Sequence, residues 1–210
     1  MNKSSIVLVG AWNARIFTPQ WIASNGIVAE GEDVTVEITF GVAPYHSRLK
    51  FNRVILQLSD DKLAFIPSED SEQAFESCRS VAAKIVELLP HTPLAAMGIN
   101  RHYIWEGGQI SGNGVLGDIF NFNDDPLLGQ NNWVVGSRAV KRVVEKAGLR
   151  ANFAIELSEE GEVSFGFNFH YLEGNVTRIK EILEQKQSKE FTDAAKEIIR
   201  DVYGVDPDDE

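Results

Sequence analysis

Nine consecutive residues constrain this chain more than any others: Val163-Ser164-Phe165-Gly166-Phe167-Asn168-Phe169-His170-Tyr171. Every odd position is apolar or aromatic, and every even position is small or polar. Side chains of an extended chain alternate between two faces, so this run buries its odd side only as a β-strand with one face on a core. On a helix the same rings would be scattered around the circumference. A strand of this kind needs neighbouring strands and a cover for its apolar face.

Neighbours are readable elsewhere. Arg150–Leu157 and Glu162–Tyr171 flank Ser158-Glu159-Glu160-Gly161 and predict a hairpin. Lys50–Leu58 and Lys62–Ile66 flank Ser59-Asp60-Asp61 and predict another. Val34–Phe40 alternates and predicts a half-buried strand, and Leu94–Trp105 predicts a longer one. Ile6–Trp12 is continuously apolar, which predicts a strand buried on both faces. Ser137–Lys146 fits either period: Val140, Val143, Val144 and Ala147 suit a helix, yet its place between strands suits a strand.

Helical signals are fewer. Pro19 is placed to open a short helical turn. A helix is predicted from about Glu72 to Leu89, with Phe75, Cys78, Ala82, Ile85 and Leu89 on one face and Pro90 ending it. Asp70 and Gln73 have capping-box spacing at its start. A last helix is predicted after Asn175, a good N-cap, running toward Tyr203 and stopping at Gly204. It lacks an apolar face over Gln185–Lys189, so a bend or break is expected there.

These elements define an α+β fold: antiparallel sheet with helices packed on one face. Two stretches also look alike. Val54–Asp61 then Leu63-Ala64-Phe65, and Phe153–Glu160 then Val163-Ser164-Phe165, are each followed by a helix. The expected arrangement is thus two pseudo-repeated strand-strand-strand-helix units, 1–92 and 93–210, within one compact domain. The second unit holds a Gly- and Asn-rich loop at 106–132 and the C-terminal helix.

Composition excludes some functions. The net charge is −11, which opposes sequence-independent binding to nucleic-acid backbones. Against that background Arg138, Lys141, Arg142 and Lys146 form a local basic stretch, a candidate patch for an anionic partner. Arg48, Lys50 and Arg53 form a shorter one. The single cysteine, Cys78, allows no intrachain disulfide and fits a reducing, cytoplasmic compartment. No apolar run approaches the roughly 20 residues of a membrane span.

One pattern occurs twice: Gly98-Ile99-Asn100-Arg101-His102-Tyr103 and Gly166-Phe167-Asn168-Phe169-His170-Tyr171 both read G-x-N-x-H-Y. Alternation puts the Gly, Asn and His of each copy on one strand face. If the two strands were neighbours, Asn100, His102, Asn168 and His170 would line a polar lane, with Glu156 a candidate from an adjoining strand. Such a lane suits a small ligand, a peptide or a partner subunit. A metal site normally needs a third protein ligand besides two histidines, so no metal and no cofactor is assigned.

Other motifs carry less. Gly112–Gly117 matches G-x-G-x-x-G but is not followed by a helix start, as a dinucleotide site requires. Asp118, Asn121, Asn123, Asp124 and Asp125 do not have EF-hand spacing. The function expected is a non-catalytic binding or assembly module with a protein partner or as a homo-oligomer. The alternatives are a metal-assisted or general-base hydrolase using His102 and His170, and a peptide-binding, chaperone-like protein.

Overall fold

The structure, a computed structural model, describes residues 4–38, 47–105, 119–120, 136–146, 149–159, 161–172, 174–184 and 187–205. Its strands are β1 (Ser5–Gly10), β2 (Thr35–Ile38), β3 (Ser47–Phe51), β4 (Val54–Leu58), β5 (Lys62–Pro67), β6 (Leu94–Trp105), β7 (Ser137–Lys146), β8 (Leu149–Ser158) and β9 (Val163–Tyr171). Its helices are α1 (Pro19–Ser24), α2 (Glu72–Leu88), α3 (Val176–Glu184) and α4 (Gln187–Glu197), the last continued by a π-helical turn at Ile198–Val202. The strands form one antiparallel sheet in the order β2-β3-β4-β5-β1-β6-β9-β8-β7. The fold is the expected α+β class. Strands β2 to β5 and β7 to β9 are each neighbours in chain order.

The chain separates into two compact units, one of residues 1–100 and 169–189, the other of 101–168 and 190–210. In the first unit, register sets the core. Ile6 stands opposite Phe65 on β5 and Ile99 on β6, and Leu8 stands opposite Leu63 and Met97. All six side chains are fully buried. A slip of one residue would turn every one of them to the other face, so the pairing is strongly specified. Helix α2 packs on β5, β1, β4 and α3. It buries Phe75, Cys78, Ala82 and Ile85, the stripe read from the sequence, and α3 adds Ile179, Ile182 and Leu183.

Three local expectations need correction. β1 is not buried on both faces: Val7 is half-buried and Val9 is 37% exposed, because the helices cover only the side of Ile6 and Leu8. The cap of α2 is Ser71, whose hydroxyl accepts a hydrogen bond from the Ala74 N–H at 3.1 Å. Asp70 sits one residue too early to do so. Lys50–Leu58 is not one strand, since Asn52 (φ 42°) and Arg53 (φ 61°) turn the chain and Phe51 pairs with Val54. Two successive left-handed residues are the signature of the two-residue hairpin turn whose twist matches paired strands. Asn tolerates that conformation and Arg does not readily, at about 1–2 kcal/mol.

Arg53 is held there by a hydrogen bond from Nη1 to Gln73 Oε1 at 2.8 Å and an exposed ion pair with Glu69 at 3.4 Å. Exposed contacts of this kind contribute only about 0.2–1 kcal/mol. Strain relief therefore outweighs them, and Arg53→Gly is expected to stabilise the protein by about 0.5 kcal/mol. A thermal melt that shows Arg53→Gly less stable than wild type would contradict the turn assignment.

In the second unit Val163, Phe165 and Phe167 of β9 are buried as read; Phe169, in the first unit, is buried too, while Tyr171 is half-buried. Phe153 of β8 stacks on Phe167 at 4.5 Å between ring centroids. Tyr203 lies over Phe153 and Phe165 at 5.7 and 5.8 Å. Ala195, Ile199 and Tyr203, spaced by four, are the buried stripe of the last helix. Ala194 and Ile198 are half-buried and Val202 is 48% exposed, while the Phe191 side chain lies outside the described residues. Asn175 caps α3 as expected, its Oδ1 accepting from the Arg178 N–H at 3.1 Å, and the helix ends at Glu184 before α4 begins at Gln187.

Candidate functional site

Ser137–Lys146 resolves as a strand of 10 residues, and its helical periodicity plays no part. It pairs along its whole length with β8, from Ser137 opposite Ser158 to Lys146 opposite Leu149. It is also the last strand of the sheet, so its second edge carries no strand among the described residues. Alternation sorts its side chains. Arg138, Val140, Arg142 and Val144 stand opposite Leu157, Ile155, Phe153 and Ala151, on the core side. Ala139, Lys141, Val143 and Glu145 stand opposite Glu156, Ala154, Asn152 and Arg150, on the other side.

Neither side of β7 is buried. Val143 is 51% and Val144 42% exposed, Lys141 and Arg142 are exposed, and Arg138 is half-buried. An edge strand of this length leaves a row of backbone donors and acceptors open to pairing. The valines explain why the sequence was ambiguous: they are not a core stripe of either period but surface residues of an edge. The Arg142 charge reaches Tyr203, where burial pushes the phenol above its ordinary value and the guanidinium partly offsets that.

The G-x-N-x-H-Y residues lie on β6 and β9, which are adjacent in the sheet order. Asn100 and His170 belong to the first unit; His102, Asn168 and Glu156 belong to the second. The Asn100 Nδ2 donates to Ser5 Oγ at 3.0 Å. The Asn168 Oδ1 accepts from Asn152 Nδ2 at 3.1 Å. Each asparagine thus holds a cross-strand neighbour. Both histidines are half-buried, and Glu156 is exposed opposite Ala139. At Gly166 an added Cβ would meet Ala154 O at 3.9 Å, ordinary contact, so no close approach requires glycine there. Among the described residues no group of three or more His, Cys, Asp and Glu side chains is placed to hold a metal ion.

One feature escaped the sequence reading. Arg101, on the core side of β6, is 5% exposed. Its Nε donates to the Tyr103 hydroxyl at 3.3 Å, and its guanidinium lies 5.6 Å from the centre of the Tyr103 ring. The i, i+2 spacing of Arg101 and Tyr103 puts both on one strand face, but it says nothing of whether a charged side chain there is buried. Cys78 is buried as its place on the helix face implies, and burial pushes its thiol up to about 12, so it is not a nucleophile near neutral pH.

The G-x-G-x-x-G motif, the Asp and Asn cluster from Asp118 to Asp125, Trp133 and nearly all of loop 106–132 lie outside the described residues. Among the described residues no helix is long and apolar enough to cross a membrane. Neither a protein-family model nor a curated protein matches the chain.

Proposed function

We propose that the chain is a non-catalytic binding or assembly module that takes a protein partner through β7. The observation that carries this reading is the last strand of the sheet, 10 residues long with no strand on its outer edge among the described residues, and with exposed Val143 and Val144 beside Lys141 and Arg142. Strand addition draws affinity from the open backbone groups and specificity from alternate side chains. The cations oppose pairing of the edge with itself and favour an anionic extended segment. Cys78, sequestered with its thiol protonated, agrees with work in a reducing, cytoplasmic setting.

The test uses a labelled peptide as long as β7 that alternates glutamate with threonine. Binding is expected to weaken as salt is raised and to protect the β7 amides from hydrogen exchange. The Lys141→Glu/Arg142→Glu variant is expected to bind about tenfold or more weakly, on the scale of two reversed cross-strand pairs. His102→Ala/His170→Ala is expected to bind as wild type. If instead the histidine variant loses binding and the β7 variant keeps it, the reading of β7 as the binding edge is overturned. No binding and no protection of β7 overturns the reading.

A further inference from the structure

The sheet has a second edge with no further strand among the described residues, and its charge is opposite. Residues Ala29–Ile38, the approach to β2 and the strand itself, contain Glu30, Glu32, Asp33 and Glu37 and no base. Residues Ser137–Lys146 contain Arg138, Lys141, Arg142 and Lys146 against Glu145 alone. Glu32 is engaged locally, its Oε2 accepting from the Ala29 N–H at 3.3 Å. Glu30, Asp33, Thr35 and Glu37 are exposed, and Val36 is 44% exposed. β2 is the first strand in the sheet order, as β7 is the last.

We infer that the protein partner is a second copy of this chain, joined by pairing β2 of one copy with β7 of the next. This rests on the reading of β7 as the binding edge. Like charges disfavour pairing of β7 with β7, or of β2 with β2, so symmetric dimers through either edge are opposed. The mixed pairing is favoured by the same charges. Glu37 stands opposite Arg48 on its inner side. On its outer side, an antiparallel register that sets Glu37 against Arg142 brings Val36 to Val143 and Asp33 to Lys146. The contact is heterologous, so each added copy presents a fresh pair of edges and assembly proceeds to a ring or a filament rather than stopping at two. Screening shortens the reach of these charges to about 10 Å near 0.1 M salt, so association is strongest at low ionic strength.

Sedimentation velocity of the full chain at low ionic strength, over rising protein concentration, tests this with two variants. Lys141→Glu/Arg142→Glu turns the β7 stretch acidic like the β2 stretch, and Asp33→Lys/Glu37→Lys leaves the β2 stretch without net charge. All four positions are exposed, so folding is checked by circular dichroism and expected to be unchanged. Wild type is expected to form species that grow with concentration. Each variant alone is expected to associate about tenfold or more weakly, and an equimolar mixture of the two to associate again. That rescue is the signature of opposite edges, since loss of a single surface would not be restored by mixing. Association of wild type that survives both reversals overturns the inference, because the contact is then elsewhere. A monomeric wild type that still binds the acidic peptide also overturns it, while leaving β7 as a binding edge. A monomeric wild type that binds no peptide removes both.

Discussion

Phe165→Ala is expected to cost about 3–5 kcal/mol of stability, the range for deleting a ring from a closed core. Phe165 is completely buried, and its ring lies 5.8 Å from Tyr203 at the end of the last helix. Removing it takes away the transfer term of an aromatic side chain and leaves a hole beneath Tyr203. The surroundings are poorly able to collapse into that hole, because Phe153 is already stacked on Phe167 and shared with Tyr203. Typical domains have a total stability of only about 5–15 kcal/mol. The loss would therefore reach a fifth or more of it, and chemical denaturation would read it directly. Val143→Ala, on the exposed edge, serves as the comparison and is expected to stay within about 0.5 kcal/mol. A cost below about 1 kcal/mol for Phe165→Ala would mean that Tyr203 does not close over Phe165.

The same ring shows what was legible beforehand. Strict alternation in Val163–Tyr171 is enough to assign a strand and its buried side without any partner in view, because period two admits one solution. Leu94–Trp105 and the hairpin at Ser158–Gly161 follow for the same reason. Period alone is silent wherever a side is only partly covered. In Ile6–Gly10 both sides are apolar, yet helices cover one of them, so hydrophobic content overstated burial at Val7 and Val9. At Asn52 and Arg53 a turn hides inside a β-like run, since Arg is not a residue from which a left-handed backbone is read. The order of strands was beyond reach, because it depends on contacts far apart in sequence. The candidate edge is a consequence of that order. Arg138, Lys141 and Arg142 were recognised as a basic stretch, but only the terminal place of β7 in the sheet makes them line an open edge. The G-x-N-x-H-Y repeats were found by spacing, and their Asn residues turn out to hold Ser5 and Asn152.

Gly10→Ala is the other substitution expected to do large damage, at about 2–5 kcal/mol, and its cost is steric. Gly10 ends β1 where the register with β6 shifts, after Val9 opposite Ala96 and with Gly10 opposite Leu94. A Cβ built there falls 2.5 Å from the Pro93 carbonyl oxygen and 2.9 Å from Leu94 Cδ2. That carbonyl already accepts the Ala11 N–H at 2.9 Å, and Gly10 N–H donates to Asp61 O at the same distance. To admit a methyl group the strands must separate locally, so overpacking of Leu94 adds to weakened hydrogen bonds at the mouth of β1. Gly26 supplies the contrast. Its φ is +62° and nothing lies within 4 Å of an added Cβ, so Gly26→Ala carries only the left-handed penalty of about 1–2 kcal/mol. Denaturation midpoints of the two variants separate the mechanisms: Gly10→Ala should fall well below Gly26→Ala. Equal midpoints would mean that Pro93 and Leu94 yield freely and that the end of β1 is not clamped against β6.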